Sequence, residues 1–181
     1  MNFQQLARLD LAFSLLCLQH KFNQPLAKIS RCISRTGDGP LYALLLVLGW
    51  WFGQSANPDA TDAQFSKAGL LAFAIELPLY WLCKNSFKRR RPHELCQLIH
   101  LTFTPSDKYS LPSGHTAAAF LMANLIGQFY PSFYPLALCW AGLIGLSRIL
   151  LGVHFVTDVL LGALLGIACA KAAMYLVGVS M

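Results

Sequence analysis

A chain of 181 residues in which 56% are hydrophobic and only 12% charged, with a mean hydropathy of +0.50, is too apolar for an ordinary soluble domain of its size. Its net charge of +6 rests on 14 Lys and Arg against 8 Asp and Glu, and no nucleic-acid partner is expected. No single apolar run settles a transmembrane segment alone, so the membrane inference rests on several runs with suitable flanks.

Residues Leu6, Leu9, Phe13, Leu16 and Leu18 are interrupted by Arg8, Asp10 and Gln19, which predicts an N-terminal amphipathic helix lying in the interface. The segment lacks the leading basic region and small-residue cleavage site of a signal peptide. Thr36-Gly37-Asp38-Gly39-Pro40 reads as a turn capping the first span, with Asp38 in a structural role. That span runs from about Pro40 to Gln54 and ends in the aromatic cluster Trp50, Trp51 and Phe52, suited to a headgroup boundary. The second, Lys67 to Lys84, is bracketed by lysines and holds one acid, Glu76, either a functional group or a helix-packing partner. The third runs from Ser113 to Tyr130, and Pro131 and Pro135 turn the chain into the fourth, Phe133 to about Leu151. Gly152 breaks that helix, and the fifth runs from His154 to about Val177. Gly162, Gly166 and Ala170 recur along it every four residues, a stripe that lets another helix approach closely.

The expected fold is therefore all-α, a polytopic transmembrane helix bundle of five spans, or six should the N-terminal segment also cross. One membrane-embedded domain covers residues 1–181, without linker, repeat or low-complexity tract. Cys17, Cys32, Cys83, Cys96, Cys139 and Cys169 show no metal-ligand spacing and read as free thiols.

Alternating five spans across a bilayer brings Lys84, Ser113, Arg148 and His154 to one face. Ser113 and Gly114 open a helix, where unpaired N–H groups and the positive dipole end favour an anion. Lys84, Arg91 and Arg148 add cations that grip phosphate oxygens and neutralise charge building in a phosphoryl transition state. The neighbouring Lys88, Arg89 and Arg90 read as charge facing the lipid headgroups. His154 and Asp158, four apart on one helix, share a face, so the carboxylate can accept one ring N–H and leave the other nitrogen free to attack phosphorus. His115, in the first turn of the third span, can protonate the departing oxygen. His20, His93 and His100 read as ordinary hydrogen-bonding residues.

These stretches, Lys84-(six residues)-Arg91-Pro92, Pro112-Ser113-Gly114-His115, and Ser147-Arg148-(five residues)-His154-(three residues)-Asp158, resemble the three motifs of the type 2 phosphatidic acid phosphatase superfamily. These are lipid phosphate phosphatases that share a phosphate pocket with vanadium haloperoxidases and glucose-6-phosphatase. The resemblance runs through most of the chain from Gly37 onward. It implies phosphate binding by Lys84, Arg91, Ser113, Gly114 and Arg148, attack by His154, orientation by Asp158 and proton donation by His115. By family analogy, undecaprenyl diphosphate is the first expected substrate, ahead of phosphatidic acid, phosphatidylglycerophosphate and lysophosphatidic acid. A phosphotransferase acting on a lipid or sugar acceptor is a second reading. A non-catalytic scaffold is a third, and the intact histidines argue against it.

No metal and no cofactor is expected, because only Glu94, Asp107 and Asp158 lie near the active face after the first motif, too few for a two-metal site. The partners expected are the bilayer and a membrane lipid phosphate, in a bacterial plasma membrane. Arg8, Lys21, Lys28, Arg31, Arg35, Lys88, Arg89, Arg90 and Lys108 lie on the catalytic side, against Lys67 and Lys171 opposite, which places the active face toward the cytoplasm.

Overall fold

The computed structural model describes residues 23–56, 61–95 and 107–179, together with Asp10 and Ala12. Apart from those two, the amphipathic N-terminal segment lies outside the described residues, as do Cys17, His20, Cys96, His100 and the His93 side chain.

The described elements are helical: α1 (Asn23–Arg35), α2 (Gly39–Ala56), α3 (Thr61–Phe87), a single turn α4 (Pro92–Leu95), α5 (Gly114–Phe129), α6 (Tyr134–Leu150) and α7 (Val156–Leu176). After a break at Tyr130, a 3₁₀ turn over Pro131–Phe133 runs directly into α6, where the two prolines predict a turn. Among the described residues, three stretches are long and apolar enough to cross a membrane: α3, Pro131–Leu150 and α7. α5 is shorter, its 16 residues rising about 24 Å against a hydrocarbon core of roughly 30 Å. α2 and α5 stand where two further spans are expected, and neither is among those three. α1 is an addition that the sequence reading passed over.

Central in the bundle is α5, packed on α3, α6 and α7; α2 rests on α3, and α1 on α6. The tightest seam is between α5 and α7, and the small-residue stripe explains it. A Cβ at Gly166 would stand 2.1 Å from the Ala117 carbonyl oxygen, and one at Gly162 would stand 2.5 Å from that of Ser113. Ala117, Leu121, Met122 and Ala170 fill the core beside this seam, all fully buried. The outward face is as apolar as the inward one: Trp51, Leu77, Trp81, Leu136 and Leu164 are exposed along successive helices, as in a protein whose solvent is lipid. The chain is an integral membrane protein.

Two turns set the active end. Gly152 has φ 70°, the left-handed region that a side chain disfavours, and it ends the α6 run so that His154 enters before α7 begins. At the start of α2, Gly37 is pressed against α6, where a Cβ would meet the Ile144 side chain at 3.0 Å. Trp140 Nε1 donates to Thr36 Oγ1 at 2.9 Å and fixes the same turn from above.

Candidate active site

All eight expected site residues lie at one end of the bundle. Ser113 is the residue before α5, with extended backbone angles, and its side chain does not cap the helix. Its hydroxyl instead pairs with Thr116 Oγ1 at 2.8 Å. The first backbone N–H groups of α5 thus keep no partner within the helix, the condition for an anion cradle. Ser113 N–H donates to the Asp158 carbonyl at 3.0 Å, tying the start of α5 to the start of α7. Gly114 is needed for packing as well, since a Cβ there would lie 2.9 Å from the Tyr80 ring.

Around this cradle stand the cations. Arg91 is 1% exposed; one terminal nitrogen donates to the Val153 carbonyl at 2.8 Å, and its Nε is buried without a hydrogen-bond partner among the described residues. Burial pulls its guanidinium below the usual arginine range, with Tyr80 and Asp158 opposing that shift. Arg148 donates to Ser34 Oγ of α1 at 2.7 Å and acts electrostatically on both His115 and His154. Lys84 donates to the Tyr80 hydroxyl and pairs with Asp107, which also pairs with Arg91. Tyr80 donates to the same carboxylate at 2.7 Å. Asp107 therefore holds two of the three expected phosphate-binding cations, as a phosphate would.

His154 is buried between α6 and α7. Its Nδ1 lies 2.7 Å from the Ser110 carbonyl oxygen, which can only accept, so Nδ1 carries the proton and Nε2 keeps the lone pair. Burial holds the imidazolium form down, lowering the ring to about 3; Asp158 opposes this, while Arg148 and Arg91 reinforce it. The ring is thus held in its neutral form, with the Nε2 lone pair free.

Asp158 corrects the sequence expectation. The helical spacing makes it the direct acceptor of the His154 N–H, yet its Oδ2 stands 3.8 Å from Nδ1, beyond hydrogen-bond reach. The Ser110 carbonyl is nearer and takes that proton. Asp158 Oδ2 instead accepts the Phe155 N–H at 2.8 Å, closing the first turn of α7, and Oδ1 accepts from Arg89 at 2.7 Å. Its influence on His154 is by charge and by shaping the turn.

Arg89 is the second correction. Within the basic run it was read as headgroup-facing charge, but it binds Asp158, Thr157 Oγ1 at 2.6 Å and Asp10 at 2.8 Å, with its guanidinium 4.1 Å from the centre of the Phe155 ring. Lys88 and Arg90 remain exposed, as expected. Asp38 is the third: it does not serve only its own turn, because its Oδ1 lies 2.9 Å from His115 Nε2. Glu76 is buried at 2% exposure. It lines a cavity of about 460 Å³ between α2, α3 and α5 that opens beside Asp38, Tyr80 and His115. The four described cysteines, Cys32, Cys83, Cys139 and Cys169, are free thiols as read.

Residues 67–181, more than half of the chain, match the model of the PAP2 superfamily. The chain belongs to that superfamily. Among its PAP2 relatives is the phosphatidylglycerophosphatase B of Bacillus subtilis, 35% identical over 109 residues that cover 54% of this chain and 51% of the relative. The chain thus spans about half the length of that protein. The decaprenylphosphoryl-5-phosphoribose phosphatase of Mycobacterium tuberculosis is 39% identical over 141 residues, 76% of this chain and 72% of that one. Two solved structures share the fold. LpxE of Aquifex aeolicus superposes with a TM-score of 0.79 at 29% identity, over 92% of this chain and 95% of that one. The transmembrane PAP2-type phosphatidylglycerolphosphate phosphatase of Bacillus subtilis gives 0.75 at 25% identity, over 97% and 87%.

Proposed function

We propose that this chain is a membrane lipid phosphate phosphatase that works through a phosphohistidine on His154, as one membrane-embedded domain over residues 1–181. The observation that carries the reading is the tautomer of His154: the Ser110 carbonyl takes the Nδ1 proton, leaving Nε2 as a fixed nucleophile beside the cation cluster. The phosphate would lie on the free N–H groups at the start of α5, with Ser113 and Gly114 at its edge and Lys84, Arg91 and Arg148 on its oxygens. The orphan Nε of Arg91 supports this, since it is a buried donor that an anion would satisfy. For phosphate to enter, Asp107 must give up Lys84 and Arg91.

In the first step Nε2 attacks phosphorus and the bond to the lipid oxygen breaks; His115 gives that oxygen a proton. In the second, the neutral His115 takes a proton from water as the water attacks phosphorus, the P–N bond breaks and inorganic phosphate leaves. Arg89 and Asp158 hold the turn that carries His154. The step needs no metal, and among the described residues no three His, Cys, Asp or Glu side chains gather in a metal-holding group.

For the lipid, the relatives act by name on phosphatidylglycerophosphate and on a decaprenylphosphoryl compound. Undecaprenyl diphosphate is the first substrate to test, followed by phosphatidylglycerophosphate, phosphatidic acid and lysophosphatidic acid. The chain would work in a bacterial plasma membrane with its active face toward the cytoplasm, by the excess of Lys and Arg at that end. Labelling of the exposed Cys32 of α1 by an impermeant thiol reagent in intact cells would overturn that orientation.

The test is purified protein in detergent with that panel, read as released phosphate and as acid-quenched phosphoenzyme. Turnover should persist in excess EDTA, be blocked by vanadate, and vanish with the phosphoenzyme in His154→Asn. Phosphate release that required an added acceptor would favour the phosphotransferase reading instead.

A further inference from the structure

Asp38 occupies the position before α2 where a carboxylate ordinarily caps its own helix by accepting an N–H two or three residues on. Here its backbone carbonyl accepts the Leu41 N–H at 3.2 Å, and the side chain reaches out of the turn to His115, 77 residues away in sequence. The turn is anchored to α6 just before Asp38, by Trp140 on Thr36 and by Gly37 against Ile144. Its carboxylate is thus delivered to the imidazole by a fixed backbone.

We infer that Asp38 is a positioning residue for proton transfer: it holds the Nε2–H of His115, points Nδ1 at the leaving oxygen, and stabilises the doubly protonated ring that donates. A carboxylate only accepts, so Nε2 carries a proton whenever the pair is formed. Nδ1 is then the nitrogen that loses a proton to the lipid oxygen and regains one from water. The charged groups bearing on His115 are Asp38 from the α1–α2 turn, Lys84 from α3 and Arg148 from α6, with the Tyr80 ring packed on the neighbouring Gly114. Two are cations that oppose the imidazolium. Asp38 is the anion in direct contact and Glu76 of α3 is a further acid lining the same cavity, so without Asp38 the acid form of the ring loses its hydrogen-bonded partner.

The Asp38 side chain is 50% exposed, so solvent weakens the pairing and the expected effect sits at the low end for an adjacent opposite charge, about one pH unit. This inference rests on His115 being the general acid, and the experiment separates the two claims. Rapid-quench rates of phosphoenzyme formation are measured for wild type, His115→Ala and Asp38→Asn, with phosphatidic acid (an alkoxide leaving group) and with p-nitrophenyl phosphate, which leaves without a proton. Asp38→Asn should slow the lipid reaction roughly tenfold, leave most of the aryl reaction, and move the alkaline limb of the lipid pH profile about one unit toward acid. Retained aryl reaction also shows that the variant is folded. If His115→Ala fails to discriminate between leaving groups, the general-acid reading itself is wrong. If it discriminates while Asp38→Asn keeps the wild-type limb, or loses both reactions equally, the role given to Asp38 is wrong.

Discussion

Gly162 carries no functional group, yet Gly162→Ala should be among the most damaging single-methyl changes in the chain. A Cβ there would lie 2.5 Å from the Ser113 carbonyl oxygen, where an ordinary carbon–oxygen contact needs about 3.3 Å. The obstructing atom is backbone, so a rotamer change cannot relieve it; α5 and α7 must separate by about 0.8 Å at this level. That is where Ser113 N–H donates to the Asp158 carbonyl, so the shift opens the joint between the phosphate cradle on α5 and the turn carrying His154. Misplacing reacting groups by 1 Å costs on the order of 10²-fold, and partial relaxation brings the expected loss to about 10- to 100-fold, or roughly 1.4 to 2.7 kcal/mol on the barrier. Overpacking should also lower stability by about 1 to 3 kcal/mol. The assay is rapid-quench phosphoenzyme formation with phosphatidic acid and p-nitrophenyl phosphate, beside a thermal melt in detergent. Both substrates should lose equally, because cradle and nucleophile separate whatever group leaves. Gly142→Ala, whose Cβ would meet nothing within 4 Å, is the control and should behave as wild type. A folded Gly162→Ala protein forming phosphoenzyme at the wild-type rate would refute the claim that this seam sets the distance between cradle and nucleophile.

Removing Arg89 strands the fully buried Asp158 carboxylate, so Arg89→Met should destabilise the protein by about 3 kcal/mol, the low end for a broken buried pair because Arg89 is partly solvated. Adding Asp158→Asn should recover much of the melting temperature without restoring turnover, and full additivity of the two changes would contradict the pairing. Asp107→Asn removes the carboxylate that competes with phosphate for Lys84 and Arg91, so vanadate and inorganic phosphate should inhibit roughly tenfold more tightly, measured as inhibition constants. Weaker inhibition would mean that Asp107 helps to build the site instead of filling it. For His154, the folded ring takes its proton only near pH 3 whereas the unfolded chain takes it near 6.5. Acid between those values therefore favours the unfolded state, so this residue's contribution to stability falls as pH drops from about 6.5 toward 3. In labelled protein the His154 ring resonance should stay flat from pH 5 to 8; a titration near 6.5 would contradict the buried neutral ring.

The convergence of the candidate site residues was legible in sequence because backbone events mark them. Ser113-Gly114 announces a helix start, Gly152 announces a break, and counting spans brings both to one face before any side chain is placed. The packing stripe was legible for the same reason, since Gly162 and Gly166 repeat at helical spacing and the seam against α5 is where a Cβ has no room. α1 carries no long apolar run: its buried side holds Ser30 and Ser34 with Ile33 alongside on the core, while Leu26 and Ile29 face outward. Its significance lies in one contact, Ser34 on Arg148.

What the sequence concealed is the second layer of charge. Arg89 sits among Lys88, Arg90 and Arg91, and composition cannot say which guanidinium turns inward; only the folded loop brings Arg89 against Phe155 and Asp158. The Ser110 carbonyl has no side-chain signature, which is why the orientation of His154 was assigned to Asp158, the visible carboxylate at the right helical spacing. Asp107 and Asp38 were read, respectively, as an acid merely near the site and as a turn residue, because each acts through a cation or imidazole distant in sequence. Their placement changes the electrostatic reading of the pocket. Three cations facing one another without ligand would repel, and the fold answers that repulsion internally, with Asp107 on Lys84 and Arg91, while Asp38 and Asp158 stand beside the two imidazoles. An arriving phosphate need displace only the first. Asp107 is 34% exposed and directly precedes Lys108-Tyr109-Ser110, whereas Asp158 is fully buried, so the carboxylate in the way is freer to leave than the one beside His154.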